Sequence, residues 1–280
     1  MKPSLYFAAD EKDVDQLKAE YTIRKKFGFK MDYLSASAVK KKYHFEAPGA
    51  ILSQLGGQTN AYLLAHCLLQ YCKGRGVQIF DHTPANSIRH TAKDVTVTVS
   101  RGVKITAKKL VYATGYEAVN FIDKKIVKLE STYACISEQA NEKTRFWKEE
   151  ALMWNTAQPY FYMRTTDDNR MLIGGRDSKF YDPVRRDRLL KQKIRDLVKD
   201  FNKIFPAIEF KPEFSWAGTF GSTEDGLPFI GEFPKLPNSL FALGFGGNGI
   251  TFSLIAAEMI TALVTGKPSK DASIFSFDRV

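Results

Sequence analysis

The chain has 280 residues, 44% hydrophobic and 26% charged, which is enough material for one large or two interleaved domains and excludes a disordered or low-complexity protein. Its formal net charge is +10, but lysine and arginine are spread along the sequence rather than gathered in an arm, which reads as solvated surface and argues against a nucleic-acid-binding protein. Cys67, Cys72 and Cys135 are too few for a disulfide framework and lack the spacing of a metal site, and no apolar leader or bilayer-length run is present, so the expectation is a cytoplasmic protein with no metal and no membrane contact.

Leu5–Ala8 reads as a short strand. In "DEKDVDQLKAEYTIRKKFG", Val14, Leu17 and Tyr21 recur at helical spacing, acids occupy the first turn and Gly28 is the stop. A second helix is expected from near Ser35. In "TNAYLLAHCLLQYCKGRG", Ala61, Leu64, Ala65, Leu68, Leu69 and Cys72 define one apolar helical stripe, with Thr59 or Asn60 as its cap and Gly74 or Gly76 at its end. "VQIFD" reads as a strand, "VTVTVS" and "VKITA" as a hairpin around Arg101-Gly102, and "KLVYATG" as a buried strand. This order predicts the second half of a doubly wound sheet.

Residues from about 126 to 220 differ in character. "KLESTYACISEQ", "PYFYMRTT", "RMLIGG" and "EFSWAGTF" are strand-like, with turn chemistry in "TDDNR". Between them Leu190, Ile194, Leu197, Val198, Phe201 and Phe205 mark a long amphipathic helix ended by Pro206. The expected fold class is α/β (α+β), a partial doubly wound sheet with an inserted antiparallel-sheet domain. The expected divisions are 1–52, 53–120, 121–221 and 222–280.

Near the end, "LFALGFGGNGITFSLIAAEMITALVTG" places Gly244, Gly246 and Gly249 in a G-x-G-x-x-G pattern between a strand and a helix. Two readings are equally open: a turn that lets backbone approach a cofactor before a positive helix end, or a corner that only needs close packing. A self-contained dinucleotide unit fails, because Asp271 has the right distance but "TGKPSKD" before it is a turn where a second strand is needed. The loop therefore serves a site built largely by other segments.

Five segments resemble, in order, the FAD-dependent amine and amino-acid oxidoreductases that include D-amino-acid oxidase, glycine oxidase and sarcosine oxidase. They are "GGQTNAYLLAHCLLQYCKGRGVQIFDHTPANSIR", "AKKLVYATGYEA", "PYFYMRTTDDNRMLIGG", "WAGTFGSTEDGLPFIGEFP" and "LFALGFGGNGIT". The resemblance implies that Phe245, Gly246, Gly247, Asn248, Gly249, Ile250 and Thr251 line the isoalloxazine of FAD. Amides at a helix N-terminus suit the negative charge of a reduced flavin. It further implies FAD contacts at Ala85 in "HTPA" and at Ala113, Thr114 and Gly115 in "ATG", each with an ordinary turn or strand exit as its alternative. Tyr160 matches a family tyrosine that reaches the substrate, and Arg164 shares its strand face; sheet-surface packing is the competing reading for both. "WAGTFGST" contains no cysteine where some relatives attach flavin, so FAD is expected to be non-covalent.

Two departures qualify the resemblance. The family begins with a βαβ unit that holds the pyrophosphate, and no such unit is found here. A fragment, the product of a split or truncated gene, and a chain whose partner carries that unit are three explanations, and weak FAD binding or none is expected of the lone chain. Secondly, "WAGTFG" places Phe220 where amino-acid-oxidising relatives often carry an arginine for the substrate carboxylate. The implied activity is removal of hydride from the carbon beside an amine or amino-acid nitrogen, which needs orientation more than a strong base. No catalytic acid or base is assigned. The rival from another class is a non-catalytic remnant or subunit that needs a separate N-terminal half to hold FAD.

Overall fold

The computed structural model describes residues 1–267 and 270–279; the turn read in "TGKPSKD" falls partly on 268–269, outside the described residues. The chain divides into two compact units, one of Met1–Thr59 with Ser131–Gly218, the other of Asn60–Glu130 with Thr219–Val280.

The first unit begins with β1 (Lys2–Phe7), α1 (Val14–Lys26), β2 (Met31–Ser35), α2 (Ala36–Tyr43) and β3 (Gly49–Gly56). Gly28, at φ +83°, follows α1 as the sequence requires, and the Ser35 hydroxyl accepts from the Ala38 amide to cap α2. In the second unit come α3 (Ala61–Lys73), β4 (Ser87–His90), β5 (Val95–Thr98), β6 (Lys104–Ala107) and β7 (Leu110–Tyr112). Then β8 (Lys128–Ser137), β9 (Leu152–Asn155), β10 (Phe161–Thr165), β11 (Met171–Ser178), α4 (Pro183–Ile204) and β12 (Pro212–Ser222) follow. The chain closes with β13 (Phe229–Glu232), β14 (Ser239–Leu243) and α5 (Gly249–Val264).

One eight-stranded sheet, ordered β12-β8-β11-β10-β9-β1-β3-β2, joins the N-terminal strands to those after residue 127. β1 and β9 run parallel, in the register Leu5↔Met153, while β1 with β3, β2 with β3, β9 with β10, β10 with β11 and β11 with β8 are antiparallel. Along β10 the side chains alternate strictly: Phe161, Met163 and Thr165 are buried, Tyr162 and Arg164 half-buried. The buried set joins a core with Ile194, Leu197 and Phe201, the inward stripe of α4. On the opposite face, Leu17 of α1 packs with Met31 and Ile51, and Tyr6 and Tyr33 complete that smaller cluster.

The second unit has two three-stranded sheets, β4-β5-β6 and β13-β14-β7. In the latter β14 and β7 are parallel, with Leu240 opposite Val111 and Phe241 opposite Tyr112. Tyr112 and Phe241 stack at 4.3 Å, and Phe229, Phe233 and Phe277 complete an aromatic core on that side. On the other side Ala256 and Met259 of α5 close over Ile230 and Ala242.

Two expectations change. "VQIFD" is not a strand: residues 77–80 are irregular and exposed, with no neighbouring strand among the described residues to take their backbone hydrogen bonds. The predicted helix stripe exists as α3, capped by Asn60 Oδ1 accepting from the Leu63 amide at 3.1 Å, but none of its residues is buried and Leu63, Leu68 and Leu69 are exposed. Among the described residues no helix is long and apolar enough to cross a membrane.

Candidate cofactor site

The five fully buried residues of β14 deliver the chain to the glycine corner. Each glycine there has a different reason for its identity. Gly244 has φ +75°, and a Cβ on it would stand 2.7 Å from Thr223 Cγ2, so both conformation and packing exclude a side chain. Gly246 has φ +53° with open space where its Cβ would be. Gly249 has neither a positive φ nor a neighbour within 4 Å of its virtual Cβ. Neither strain nor protein packing explains a glycine at that position.

The turn is held by the Gly246 amide donating to Gly221 O at 2.9 Å and the Asn248 amide donating to Phe245 O at 3.1 Å. α5 then starts without a side-chain cap on its first turn and without an acidic residue there. Its N-terminal amides carry an uncompensated partial positive charge.

Beside this corner lies a cavity of about 630 Å³, within the usual range for small-molecule sites. Gly244, Phe245 and Gly246 form one wall. Val111 and Ala113 form another, because β7 alternates and sends Tyr112 into the aromatic core instead. Ser253, Ala256, Ala257 and Ile260 recur at three- and four-residue steps, so α5 turns its small-residue face to the space. Thr219, Phe220 and Gly221 from the end of β12 and Val127 also line it.

Of the residues expected at the flavin, Ala113, Gly115, Phe245 and Gly246 line this cavity. Thr114, Gly247, Asn248, Gly249, Ile250 and Thr251 neighbour lining residues in the sequence but do not line it themselves, and Ile250 is 53% exposed. Ala85 is exposed in the irregular stretch before β4 and is not among the lining residues. Sequence reading missed Val111, Ser253, Ala256, Ala257 and Ile260 as lining. The alternation of "LVYA" and the small-residue periodicity of "SLIAAEMI" were the signals available.

Tyr160 and Arg164 belong to the other unit. Tyr160 directly precedes β10, its ring 5.8 Å from that of Tyr162. Arg164 is half-buried, which works against its charge, and its Nη1 donates a long 3.4 Å bond to Thr165 O. Burial pushes the Tyr162 phenol up to about 12, so it stays protonated. Burial likewise pushes the Cys135 thiol up to about 12, which makes it an inert core residue.

Residues 1–263 match the family described as FAD dependent oxidoreductase. A glycine oxidase of Bacillus licheniformis is 28% identical over 209 residues, covering 72% of this chain and 53% of that protein. A gamma-glutamylputrescine oxidoreductase of Escherichia coli is 24% identical over 94% of this chain and 61% of its own length. The chain thus spans between about half and three fifths of the length of these two relatives. The crystal structure of glycine oxidase from Geobacillus kaustophilus superposes with a TM-score of 0.86 at 22% identity, covering 100% of this chain and 75% of that one, which shows a shared fold.

Proposed function

The chain belongs to the FAD dependent oxidoreductase family, and on that premise we propose that it serves the oxidation of a C–N bond in an amine or amino acid, with FAD held non-covalently at the glycine corner. The observation that carries this reading is Gly249: a glycine that the fold itself does not need, at the open start of a helix and beside a cavity. A ligand in close contact with the backbone supplies the missing reason.

The residues present fit a flavin. The α5 amides from Gly249 to Thr251 offer positive potential to an anionic ring edge, Ala113 and Gly115 leave room for close approach, and Val111, Phe245 and Ile260 exclude water. When bound, FAD supplies the two-electron acceptor for the hydride on the carbon beside the amine nitrogen, and water hydrolyses the imine product. The chain's own contribution is orientation and a fixed field; no side chain is assigned as acid or base. Tyr160 and Arg164 are the proposed substrate contacts.

A second reading is favoured by one observation. α3 exposes Leu63, Leu68 and Leu69, residues 77–80 expose Val77, Ile79 and Phe80, and β7 is an edge strand of its sheet. Exposed apolar side chains and an open strand edge are features of a binding face, so a separate polypeptide covering them would complete the FAD site. The test is a titration of purified protein with FAD followed by gel filtration and a visible spectrum. A retained flavin band that fades anaerobically with an amine supports the first reading; a colourless protein at saturating FAD refutes it for the lone chain and supports the second.

A further inference from the structure

The glycine corner leans on the segment that runs from the end of β12 into β13, and that segment is tied down by one arginine. All the residues concerned belong to the second unit. The Gly221 carbonyl accepts the Gly246 amide at 2.9 Å, and the Thr223 Cγ2 methyl stands so close to Gly244 that no Cβ fits there. The Thr223 hydroxyl donates to Leu227 O at 2.8 Å, which fixes the rotamer that aims the methyl. Phe229 then pairs with Leu243, the residue just before the corner.

Left to itself, the turn between these contacts is a weak support. Glu224, Asp225 and Gly226 are exposed, and Gly226 has φ +73°. A surface turn built on glycine keeps much backbone freedom. Arg279 removes it. Its side chain, 12% exposed, donates five hydrogen bonds among the described residues, one from Nε and two from each Nη. Nε and Nη2 reach the two Asp225 carboxylate oxygens, Nη2 also reaches Leu227 O at 2.6 Å, and Nη1 reaches Pro228 O at 2.9 Å and Ser276 O at 3.3 Å. The guanidinium carbon also lies 3.7 Å from the centre of the Phe229 ring. Asp225 closes the turn from within by accepting the Leu227 amide at 3.1 Å. Leu227 O is the shared point, accepting from both Thr223 and Arg279. Only a planar fork of five donors meets this set of acceptors; a lysine ammonium does not.

We infer that Arg279 is a positioning residue for the glycine corner, locking the 223–229 turn so that the backbone beside the cavity keeps its shape before any ligand arrives. Backbone amides act as a fixed field only when their support does not move. The inference deepens the proposed flavin site and rests on that reading for the identity of the ligand. Arg279 lies beyond the residues that match the family, so that likeness does not single it out.

Hydrogen exchange of FAD-free full-length protein, read by NMR, tests the lock without flavin. In Arg279→Gln the Gly246 and Asn248 amides should exchange at least roughly tenfold faster, while amides of the β13–β14 ladder change by less than about threefold. Arg279→Lys should restore little of this protection. Thr223→Val keeps the side-chain shape, loses the hydroxyl and should also speed the corner amides. Combined with Arg279→Gln it should add less than about twofold, since both act through Leu227 O. Unchanged corner exchange, a rise shared equally by the ladder, full recovery with lysine, or independent effects of the two substitutions overturns the inference. FAD affinity, read by flavin fluorescence, is expected to fall at least roughly tenfold in Arg279→Gln, in step with the loosened corner. Wild-type protein that holds no flavin, or an affinity indifferent to that loosening, would sink the proposed cofactor site and leave the lock standing.

Discussion

Replacing Gly249 with alanine distinguishes a glycine kept for the fold from one kept for a ligand. Its virtual Cβ meets nothing within 4 Å and its φ is not positive, so alanine brings neither clash nor strain. At the first residue of α5 the exchange removes the entropy cost of glycine, worth up to about 0.5–1 kcal/mol, so FAD-free protein should unfold at the same or slightly higher urea concentration. If flavin touches the amide, the added methyl overlaps it, an overpacking cost of about 1–3 kcal/mol. At 1.4 kcal/mol per tenfold, FAD affinity should drop roughly 5- to 150-fold. Gly244→Ala supplies the contrast. There a left-handed φ costs about 1–2 kcal/mol and the contact with Thr223 a further ~1–3 kcal/mol, so the fold itself is destabilised. Flavin fluorescence titration and urea melts read the two effects separately. Unchanged FAD affinity in Gly249→Ala, or a loss of stability there comparable to Gly244→Ala, refutes the reasoning.

Leu197, fully buried in the α4 stripe, should cost about 2–5 kcal/mol when cut to alanine, read as a lower urea midpoint at unchanged slope. The Arg279 guanidinium, bonded to Asp225, holds that carboxyl down to about 2. Because the folded value lies below the unfolded one, the stabilisation is full above about pH 4 and fades as pH falls towards 2. With Asp225 38% exposed, screening limits it to roughly 1 kcal/mol. Thermal melts of wild type and Asp225→Asn should therefore differ at pH 6 and converge near pH 2; a constant gap contradicts the assignment. Leu63→Glu with Leu68→Glu should leave stability within about 0.5 kcal/mol, since both side chains are exposed, while reducing self-association on gel filtration. An unaltered elution profile would remove the case for α3 as a binding face.

Elements that carry their own local signals were legible in the sequence. The Leu190–Phe205 periodicity marks α4, Asn60 caps α3 where its side chain suggests, and Arg101-Gly102 turns the β5–β6 hairpin. Elements defined by distant partners were not. β2, β3 and β9 are short or mixed in pattern, and β9, besides its neighbour β10, pairs with β1, about 148 positions earlier in the chain. "VQIFD" shows the converse: an apolar run with strand-like composition stays irregular when no neighbour completes its hydrogen bonds. The glycine corner could be read because the G-x-G-x-x-G spacing of Gly244, Gly246 and Gly249 lies within one short stretch of sequence. The cavity beside it could not, because its walls come from β7, β12 and α5 together.

The interleaving of the two units sets a clock on biosynthesis. β1 must wait for β9 to leave the ribosome, because Leu5 is matched with Met153, and β7 must wait for β14, because Val111 is matched with Leu240. At roughly 5–20 residues per second, each vacant edge stays unpaired for about 6–30 s of translation, ample time for a nascent chain to engage a chaperone or a neighbour on the same message. Slowing elongation before residue 152 should therefore lower soluble yield more than slowing it after residue 243, when both long-range strand pairs have already emerged.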